Sequence, residues 1–325
     1  MTKCMLGNSG LEIAPLAFGG NVFGWTADEA TSFTLLDAFV DAGFNLIDTA
    51  DMYSAWAPGN KGGESETIIG NWLKSRGRRS KVVIATKVGW DRGALGNGLS
   101  KNYILQSIEG SLSRLQTDYV DLYQSHIDDP ETPLEETLNA HALLIEQGKV
   151  RAIGASNYDA SRLAEALDTS KRGRLARYES LQPRYNLYDR ASFEGELETL
   201  CRREGLGVIP YYALAAGFLT SKYRSEQDFS QSPRGGGMGS YLTERGRRIL
   251  GALDRVAADM GATPAQIALA WLIARPSVTA AIASATSLKQ FGELAETVKL
   301  KLDREAIDEL DRASAWQAAP STAPR

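Results

Sequence analysis

Cysteine is nearly absent from this sequence. Its 325 residues include only Cys4 and Cys201, which lie far apart in the chain and have no metal-ligand partners beside them. The sequence therefore supports neither a disulfide framework nor a zinc site, and we expect no bound metal. This cysteine usage is typical of a protein that works in a reducing compartment.

An excess of positive charge is also missing. The formal net charge is −4, and the basic stretches at 76–81 and 171–174 are too short to form a stripe for nucleic-acid phosphates. We expect those basic residues to lie at solvated helix ends. The sequence therefore predicts no nucleic-acid partner.

Long apolar runs are missing as well. No stretch approaches the roughly 18 apolar residues that a membrane-spanning helix needs. The first residues also lack the charged, apolar and small-residue order of a signal peptide. We expect a cytoplasmic protein without a membrane partner, and the sequence leaves its oligomeric state open.

Glycine is plentiful, with 31 residues, but it does not form the fingerprint of a dinucleotide-binding domain. No Gly-x-Gly-x-x-Gly motif opens a strand–helix unit, so a Rossmann domain is not supported. Any dinucleotide would have to bind to a different kind of fold.

Short apolar runs alternate with longer segments of helical period along almost the whole chain. This alternation is typical of repeated βα units, and runs that are apolar at successive positions indicate strands covered on both faces. Eight such units predict a (β/α)8 barrel in a single domain over residues 1–325, with a doubly wound open sheet as the alternative. The predicted strands are 14–18, 44–48, 82–86, 119–123, 150–155, 177–182, 206–210 and 278–282.

Capping residues indicate where three of the intervening helices begin. Thr26 precedes Glu29 at capping-box spacing, and another helix is predicted after Ser100. Thr263 is followed by Pro264, a residue suited to the first helical position.

Two segments lie outside the repeat. Residues 4–13 read as two short apolar stretches around a glycine turn, which predicts a hairpin that plugs the bottom of the barrel. Residues 217–241 have no sustained period and contain Arg234 followed by three glycines. We interpret this second segment as a lid or as a disordered loop.

Four polar residues follow predicted strands, and together they suit one kind of proton transfer. Residues directly after barrel strands line one end of the barrel, so Asp48, Lys87 and His126 would converge there, with Tyr53 in the loop after Asp48. Carbonyl reduction requires an acid of high intrinsic pKa, a cation, a carboxylate that holds the cation, and a neutral imidazole. The four residues supply that set.

Each of these residues has a predicted role and an ordinary structural alternative. Tyr53 would be the general acid, with the Lys87 ammonium lowering a tyrosine pKa that is usually about 10. Asp48 would hold Lys87 charged, and His126 would donate a hydrogen bond that orients the substrate carbonyl. Taken singly, they could be a barrel ion pair, a loop aromatic and a core histidine.

The motifs around these residues resemble those of the aldo-keto reductase superfamily. The resemblance implies a (β/α)8 barrel, nicotinamide-dependent carbonyl reduction and a complete catalytic tetrad. Residues 184–187 and 222–223 resemble the branch that includes bacterial reductases and potassium-channel β-subunits. The matching motifs are 6–7, 18–20, 48–53, 85–87, 124–126, 154–157, 182–187, 210–211 and 217–219.

The resemblance implies positions for the cofactor. Polar side chains at strand ends would hold the carboxamide, Tyr211 would stack on the nicotinamide, and a tail segment would grip the adenosine phosphate end. NADPH is the expected cofactor, but Lys289 is the only cation near that tail segment, so NADH or dual use is plausible. The implied contacts are Gly20, Asn21, Asp48, Ser156, Asn157, Gln182, Tyr211, Leu214, Ser284, Thr286, Gln290 and Glu293.

Two further groups are predicted at the mouth of the barrel. A basic, glycine-rich lid could close on the cofactor pyrophosphate through Gly217, Leu219, Lys222 and Arg234. Aromatic side chains could form a pocket for an apolar or ring-bearing aldehyde or ketone. The predicted pocket residues are Phe23, Trp25, Trp56 and Trp90, beside His126.

The sequence favours an NAD(P)H-dependent reductase of aldehydes or ketones, acting reversibly. One alternative is a cofactor-sensing binding or regulatory subunit that retains slow reductase chemistry. Another is a lyase or aldolase that uses Lys87 as a Schiff-base nucleophile, which a carboxylate partner at Asp48 would disfavour by keeping the lysine protonated.

Overall fold

The computed structural model describes residues 2–91, 93 and 96–316. It begins with a hairpin of two short antiparallel strands, β1 (Cys4–Met5) and β2 (Glu12–Ile13). Leu6, Leu11 and Ile13 are buried against apolar residues of the barrel interior. The predicted hairpin plug is therefore confirmed. The ends of the predicted single-domain range, Met1 and 317–325, lie outside the described residues.

Eight parallel strands form one sheet in the order β10-β3-β4-β5-β6-β7-β8-β9. The sheet closes on itself because Thr279 N donates to Val208 O at 2.8 Å and Ile282 N donates to Pro210 O at 3.1 Å. The predicted (β/α)8 barrel is confirmed, and the open-sheet alternative is wrong. The strands are β3 (Leu16–Gly19), β4 (Leu46–Asp48), β5 (Val83–Val88), β6 (Val120–Ser125), β7 (Val150–Ser156), β8 (Tyr178–Gln182), β9 (Gly207–Val208) and β10 (Ala281–Ala283).

Helices cover the outside of the sheet and explain the unbroken apolar runs of its strands. In β3 to β7 and in β10, one face packs inside the barrel, and the other packs against helices in a second, larger apolar cluster. The helices are α1 (Glu29–Asp41), α2 (Glu64–Arg76), α3 (Lys101–Leu115), α4 (Leu134–Glu146), α5 (Ala160–Gly173), α6 (Glu196–Glu204), α7 (Glu244–Met260), α8 (Pro264–Ile273), α9 (Leu288–Glu296) and α10 (Arg304–Ser314).

Two of the three predicted helix starts are confirmed. The side chains of Ser100 and Thr263 cap α3 and α8, and Thr263 forms a capping box with Gln266. The capping box predicted at Thr26 is wrong, because Asp28 Oδ1 accepts the Thr31 N–H at 2.8 Å and caps α1 instead. An aspartate closer to the helix satisfies the free N–H groups more directly.

The strands end on one side of the barrel, and the polar residues of interest lie at those ends. Asp48, Ser156 and Gln182 end β4, β7 and β8, while Lys87 pairs with Gln124 in the β5–β6 register. The segment after β9 is not featureless: it forms three 3-10 turns, Ala215–Thr220, Glu226–Gln231 and Gly235–Ser240.

Within the described residues, no single helix combines the length and the hydropathy needed to cross a bilayer. The bent pair α7 and α8 meets both criteria only when its two helices are taken together, with 94° between them.

Both histidines of the chain are buried in states that disfavour protonation. His141, on α4, is fully buried beside the Ser125 hydroxyl, and its Nδ1 has no hydrogen-bond partner among the described residues. Burial lowers the pKa of His141 from 6.5 to about 3. An imidazolium at this position would carry an unpaired N–H inside the core.

We expect acidification to destabilise the fold through His141. Between pH 6.5 and 5 the unfolded histidine takes up a proton that the folded one does not. The free energy of unfolding should therefore decrease as the pH is lowered, with a limiting slope of about 1.4 kcal/mol per pH unit. Urea unfolding of the wild type and of His141→Gln across this window should show a shallower loss in the variant. Equal slopes would contradict this account.

Candidate functional site

Lys87 is a fully buried lysine whose ammonium group is completely hydrogen-bonded. Its Nζ donates to Asp48 Oδ2 at 2.8 Å, to the Thr49 carbonyl at 2.7 Å and to the Tyr53 hydroxyl at 2.9 Å. Burial lowers the pKa of Lys87, and the Asp48 carboxylate opposes that change. Three acceptors for three N–H groups hold the charged amine in one place.

Asp48 receives hydrogen bonds on both carboxylate oxygens. Oδ2 accepts from Lys87 and, at 3.2 Å, from the Tyr53 hydroxyl, while Oδ1 accepts from Gln182 Nε2 at 2.8 Å. The side chain of Asp48 is almost completely buried. The carboxylate therefore connects the lysine and tyrosine to a residue on the opposite side of the barrel.

The Tyr53 hydroxyl is protonated in this resting arrangement. Burial, followed by the Asp48 carboxylate, raises the pKa of Tyr53 well above its usual value. The expectation that Lys87 brings this pKa down is therefore wrong for the resting site. Lys87 still donates to the phenol oxygen, so it is placed to stabilise negative charge there once the proton has left.

His126 lies beside Tyr53 and is neutral. The two ring centroids are 6.1 Å apart, and Trp90 lies 5.2 Å from the imidazole on another side. Burial, followed by the Lys87 charge, holds the pKa of His126 well below its usual range. Its Nδ1 is buried without a hydrogen-bond partner among the described residues, which leaves Nε2 as the nitrogen suited to donate to a ligand.

The residues predicted to hold a carboxamide form one connected group. Asn157 Nδ2 donates to the His126 carbonyl at 2.9 Å, and its Oδ1 accepts from the Tyr211 hydroxyl at 2.7 Å. Ser156 Oγ donates to the Gln182 carbonyl at 2.9 Å. These amide and hydroxyl groups, with the half-buried Tyr211 ring beside them, have the donors and acceptors that a nicotinamide carboxamide needs.

The turn that begins at Leu214 has an unusual backbone, in which the N–H groups of Gly217 and Leu219 both donate to the Leu214 carbonyl. Ala215, Ala216 and Gly217 have consecutive positive φ angles of 47°, 55° and 105°. Left-handed alanines are strained, and such strain collects at ligand-binding turns where backbone N–H groups form a concavity. Leu219 is fully buried in the core and its N–H already donates within the turn, so this residue is not available for the predicted phosphate contact.

The two predicted cations of this segment differ in their surroundings. Lys222 is exposed, and its Nζ lies 4.9 Å from the Tyr223 ring centroid. Arg234 is partly buried, with its guanidinium carbon 5.1 Å from the Trp25 ring centroid, and it forms no ion pair with a carboxylate of the described residues. A partly desolvated guanidinium without a counter-ion suits an anionic ligand.

The predicted adenosine-end residues lie partly together. Ser284 Oγ donates to the Gly19 carbonyl at 2.7 Å, which joins the segment after β10 to the end of β3. Gln290 Oε1 accepts from Thr286 N at 2.8 Å, and Glu293 is half-buried on α9. Next to Gly19, Gly20 allows a close approach, since a Cβ there would lie 3.0 Å from the Asp48 carbonyl oxygen.

Three of the four predicted pocket aromatics surround the tetrad. The Trp25 and Trp56 centroids are 5.7 Å apart, Trp56 lies 5.9 Å from Tyr53, and Trp90 contacts His126. Phe23 is a correction to the prediction: its ring is fully buried and stacks on Phe18 in the core. Its position two residues before Trp25 made the two rings look equivalent in the sequence.

Gln124 was missed in the sequence, although it contacts the tetrad. Its Nε2 lies 3.5 Å from Asp48 Oδ1, and its Oε1 lies 3.4 Å from Gln182 Nε2. It precedes His126 by two positions, and alternate residues of a strand share a face. That spacing is the signal that could have identified it.

Comparisons with known proteins show what the chain is similar to. The model of the aldo/keto reductase family matches residues 15–315. The "Uncharacterized oxidoreductase YrpG" of Bacillus subtilis is 34% identical over 94% of either chain. A "Probable voltage-gated potassium channel subunit beta" of Oryza sativa is 33% identical over 94% of either chain. The "Aldo-keto reductase YhdN" of Bacillus subtilis is 34% identical, over 89% of this chain and 85% of its own.

We expect Lys87→Met to destabilise the protein by about 3–5 kcal/mol, because it leaves the Asp48 carboxylate buried without its cation. Adding Asp48→Asn removes that charge and should restore most of the loss. Urea unfolding of both single variants and the double variant measures the coupling between the two sites. Additive effects of the two substitutions would contradict the importance of this ion pair.

Proposed function

Because this chain belongs to the aldo/keto reductase family, we propose that it reduces an aldehyde or ketone to an alcohol with Tyr53 as general acid. Members of the family act on small carbonyl substrates with nicotinamide cofactors, generally NADPH. The observation that carries the proposal is the shared contact of Lys87 with Asp48 and Tyr53, at 2.8 and 2.9 Å, beside a neutral His126.

The proton step follows from the positions of these side chains. When bound, the nicotinamide supplies the hydride that reaches the carbonyl carbon. Tyr53 gives its proton to the carbonyl oxygen, and the Lys87 ammonium stabilises the phenolate that remains. His126 donates from Nε2 to the same oxygen and fixes its distance from the tyrosine. For alcohol oxidation, Tyr53 acts as the base.

The cofactor would be held by groups on both sides of the tetrad. Ser156, Asn157 and Gln182 suit the carboxamide, and the Tyr211 ring suits the nicotinamide face. The lid formed by residues 217–241 would cover the pyrophosphate, with Arg234 as its anion-binding side chain. We propose NADPH as the preferred cofactor, with NADH accepted, since Lys289 is the only Lys or Arg within the adenosine-end segment 281–294.

A second candidate function is a cofactor-sensing binding subunit. The likeness to the rice protein named as a potassium-channel subunit favours it. Turnover separates the two candidates: negligible reduction over a broad carbonyl panel, together with co-purification of a membrane protein, would support the subunit. A Schiff-base role for Lys87 is disfavoured, because its three N–H groups all have acceptors and the Asp48 carboxylate opposes deprotonation of the amine.

Tyr53→Phe tests the central assignment. The variant should bind cofactor with an unchanged dissociation constant and lose about 10²–10⁴-fold in kcat, the usual contribution of a general acid. Single-turnover reduction of a preferred aldehyde, with cofactor binding measured in parallel, provides both values. Tyr119→Phe is the matched control, since that ring lies outside the site and stacks with Arg79. Near-wild-type turnover by Tyr53→Phe would refute the assignment.

Arg234→Ala tests the lid. We expect it to raise the dissociation constant for NADPH about tenfold, as loss of one charge-assisted contact would. The control is Arg224→Ala, which removes an arginine of the same segment that pairs with Asp254 at 2.6 Å. Fluorescence titrations of both variants with NADPH and NADH also give the cofactor preference. An unchanged constant for Arg234→Ala would exclude this arginine from the cofactor site.

A further inference from the structure

The loop between β3 and α1, residues 20–28, contacts several separate parts of the proposed site. Ser54, in the loop that carries Tyr53, donates its hydroxyl to the Phe23 carbonyl at 2.6 Å. Asn60 Nδ2 donates to the Gly24 carbonyl at 2.8 Å. Any change in the position of this loop therefore acts on the loop of the proposed acid.

The same loop also binds the two segments assigned to the cofactor. With its amide oriented to satisfy both neighbours, Asn21 donates to Ser284 Oγ at 2.7 Å and accepts from Arg234 Nη2 at 2.6 Å. Ser284 belongs to the segment after β10, and Arg234 belongs to the lid. The loop thus joins the adenosine-end segment, the lid and the loop of Tyr53.

Trp25 is the residue through which these contacts reach the aromatic pocket. The Arg234 guanidinium carbon lies 5.1 Å from the centroid of its ring. Trp25 meets Trp56 edge-to-face with centroids 5.7 Å apart, and Trp56 meets Tyr53 at 5.9 Å. A continuous series of ring contacts therefore runs from the cation of the lid to the proposed acid.

Within the part of the chain that the structure describes, the cation in this series, Arg234, has no carboxylate partner. Among the described residues, the groups around Arg234 are Asn21 and aromatic side chains, whereas Arg224 in the same segment has an aspartate. A guanidinium that meets an indole face and lacks a counter-ion can bind a phosphate without giving up an ion pair. Capture of an anion would then fix the guanidinium, and with it the indole.

We infer that Trp25 is a positioning residue that couples capture of the cofactor phosphates by Arg234 to the shape of the carbonyl pocket. The inference rests on the proposed function and extends it to one side chain: capture of an anion by Arg234 fixes the pocket wall formed by Trp25 and Trp56. Because such coupling is reciprocal, a bound carbonyl must tighten nucleotide binding by the same factor.

The test measures binding without turnover. NADP⁺ and a carbonyl substrate do not react together, so calorimetric titration of NADP⁺ with and without saturating carbonyl gives the coupling factor directly. We expect carbonyl to tighten NADP⁺ binding about three- to tenfold in the wild type. In Trp25→Leu that factor should fall towards one, and NADP⁺ alone should bind about three- to tenfold more weakly for loss of the cation–π contact.

Two further variants separate coupling from general disruption. Trp25→Phe keeps a ring face for Arg234 and should recover most of the NADP⁺ affinity. Trp90→Leu removes a pocket aromatic that contacts His126 rather than Arg234. It should weaken carbonyl binding and leave the NADP⁺ dissociation constant unchanged.

The possible failures are distinguishable. Wild-type affinity for NADP⁺ in Trp25→Leu, or an unchanged coupling factor, would overturn the inference even if carbonyl reduction is intact. If instead the wild type reduces no carbonyl, the proposed function fails, while the NADP⁺ affinities of the Trp25 variants still decide whether the indole supports the cation.

Discussion

The buried ammonium of Lys87 is the constraint on which the rest of the site depends. An unpaired charge in the interior is prohibitively costly, so the chain must bring three acceptors to this one atom. Asp48 and the Thr49 carbonyl come from the end of β4, which pairs with β5 in register, and the third acceptor is the Tyr53 hydroxyl. The loop after Asp48 must therefore turn back sharply, and Ser54 has the positive φ of 73° that such a turn requires.

Closure of the barrel lets the Asp48 carboxylate accept a hydrogen bond from Gln182 as well as from Lys87. Gln182 ends β8, four positions from β4 in the strand order, yet its Nε2 lies 2.8 Å from Asp48 Oδ1. Strands so far apart in an open sheet would be separated by about 19 Å. The hydrogen bonds of Val208 and Pro210 that close the sheet are thus a condition for joining the proposed acid to the residues proposed to hold the carboxamide.

Much of the fold and the tetrad could be predicted because their signals are local. An apolar run followed directly by Asp48 or His126 specifies both a strand and a side chain at its end. The remainder depends on side-chain contacts that the sequence pattern does not reveal. Phe23 and Trp25 look alike until Phe18 supplies a core partner for the first and Arg234 a contact for the second. The spacing of Gln124 from His126 places it on the same face of β6, but its partners Asp48 and Gln182 come from two other strands.

The raised pKa of Tyr53 also depends on surroundings that the sequence pattern does not reveal, and a raised pKa is compatible with the role of a general acid. The Lys87 ammonium is expected to lower the pKa of Tyr53, but burial and the Asp48 carboxylate outweigh it and keep the hydroxyl protonated at rest. A proton donor must hold its proton until the carbonyl oxygen can accept it. The Lys87 hydrogen bond gains strength as the phenolate forms, so it favours the transition state more than the resting state, and catalysis requires that difference.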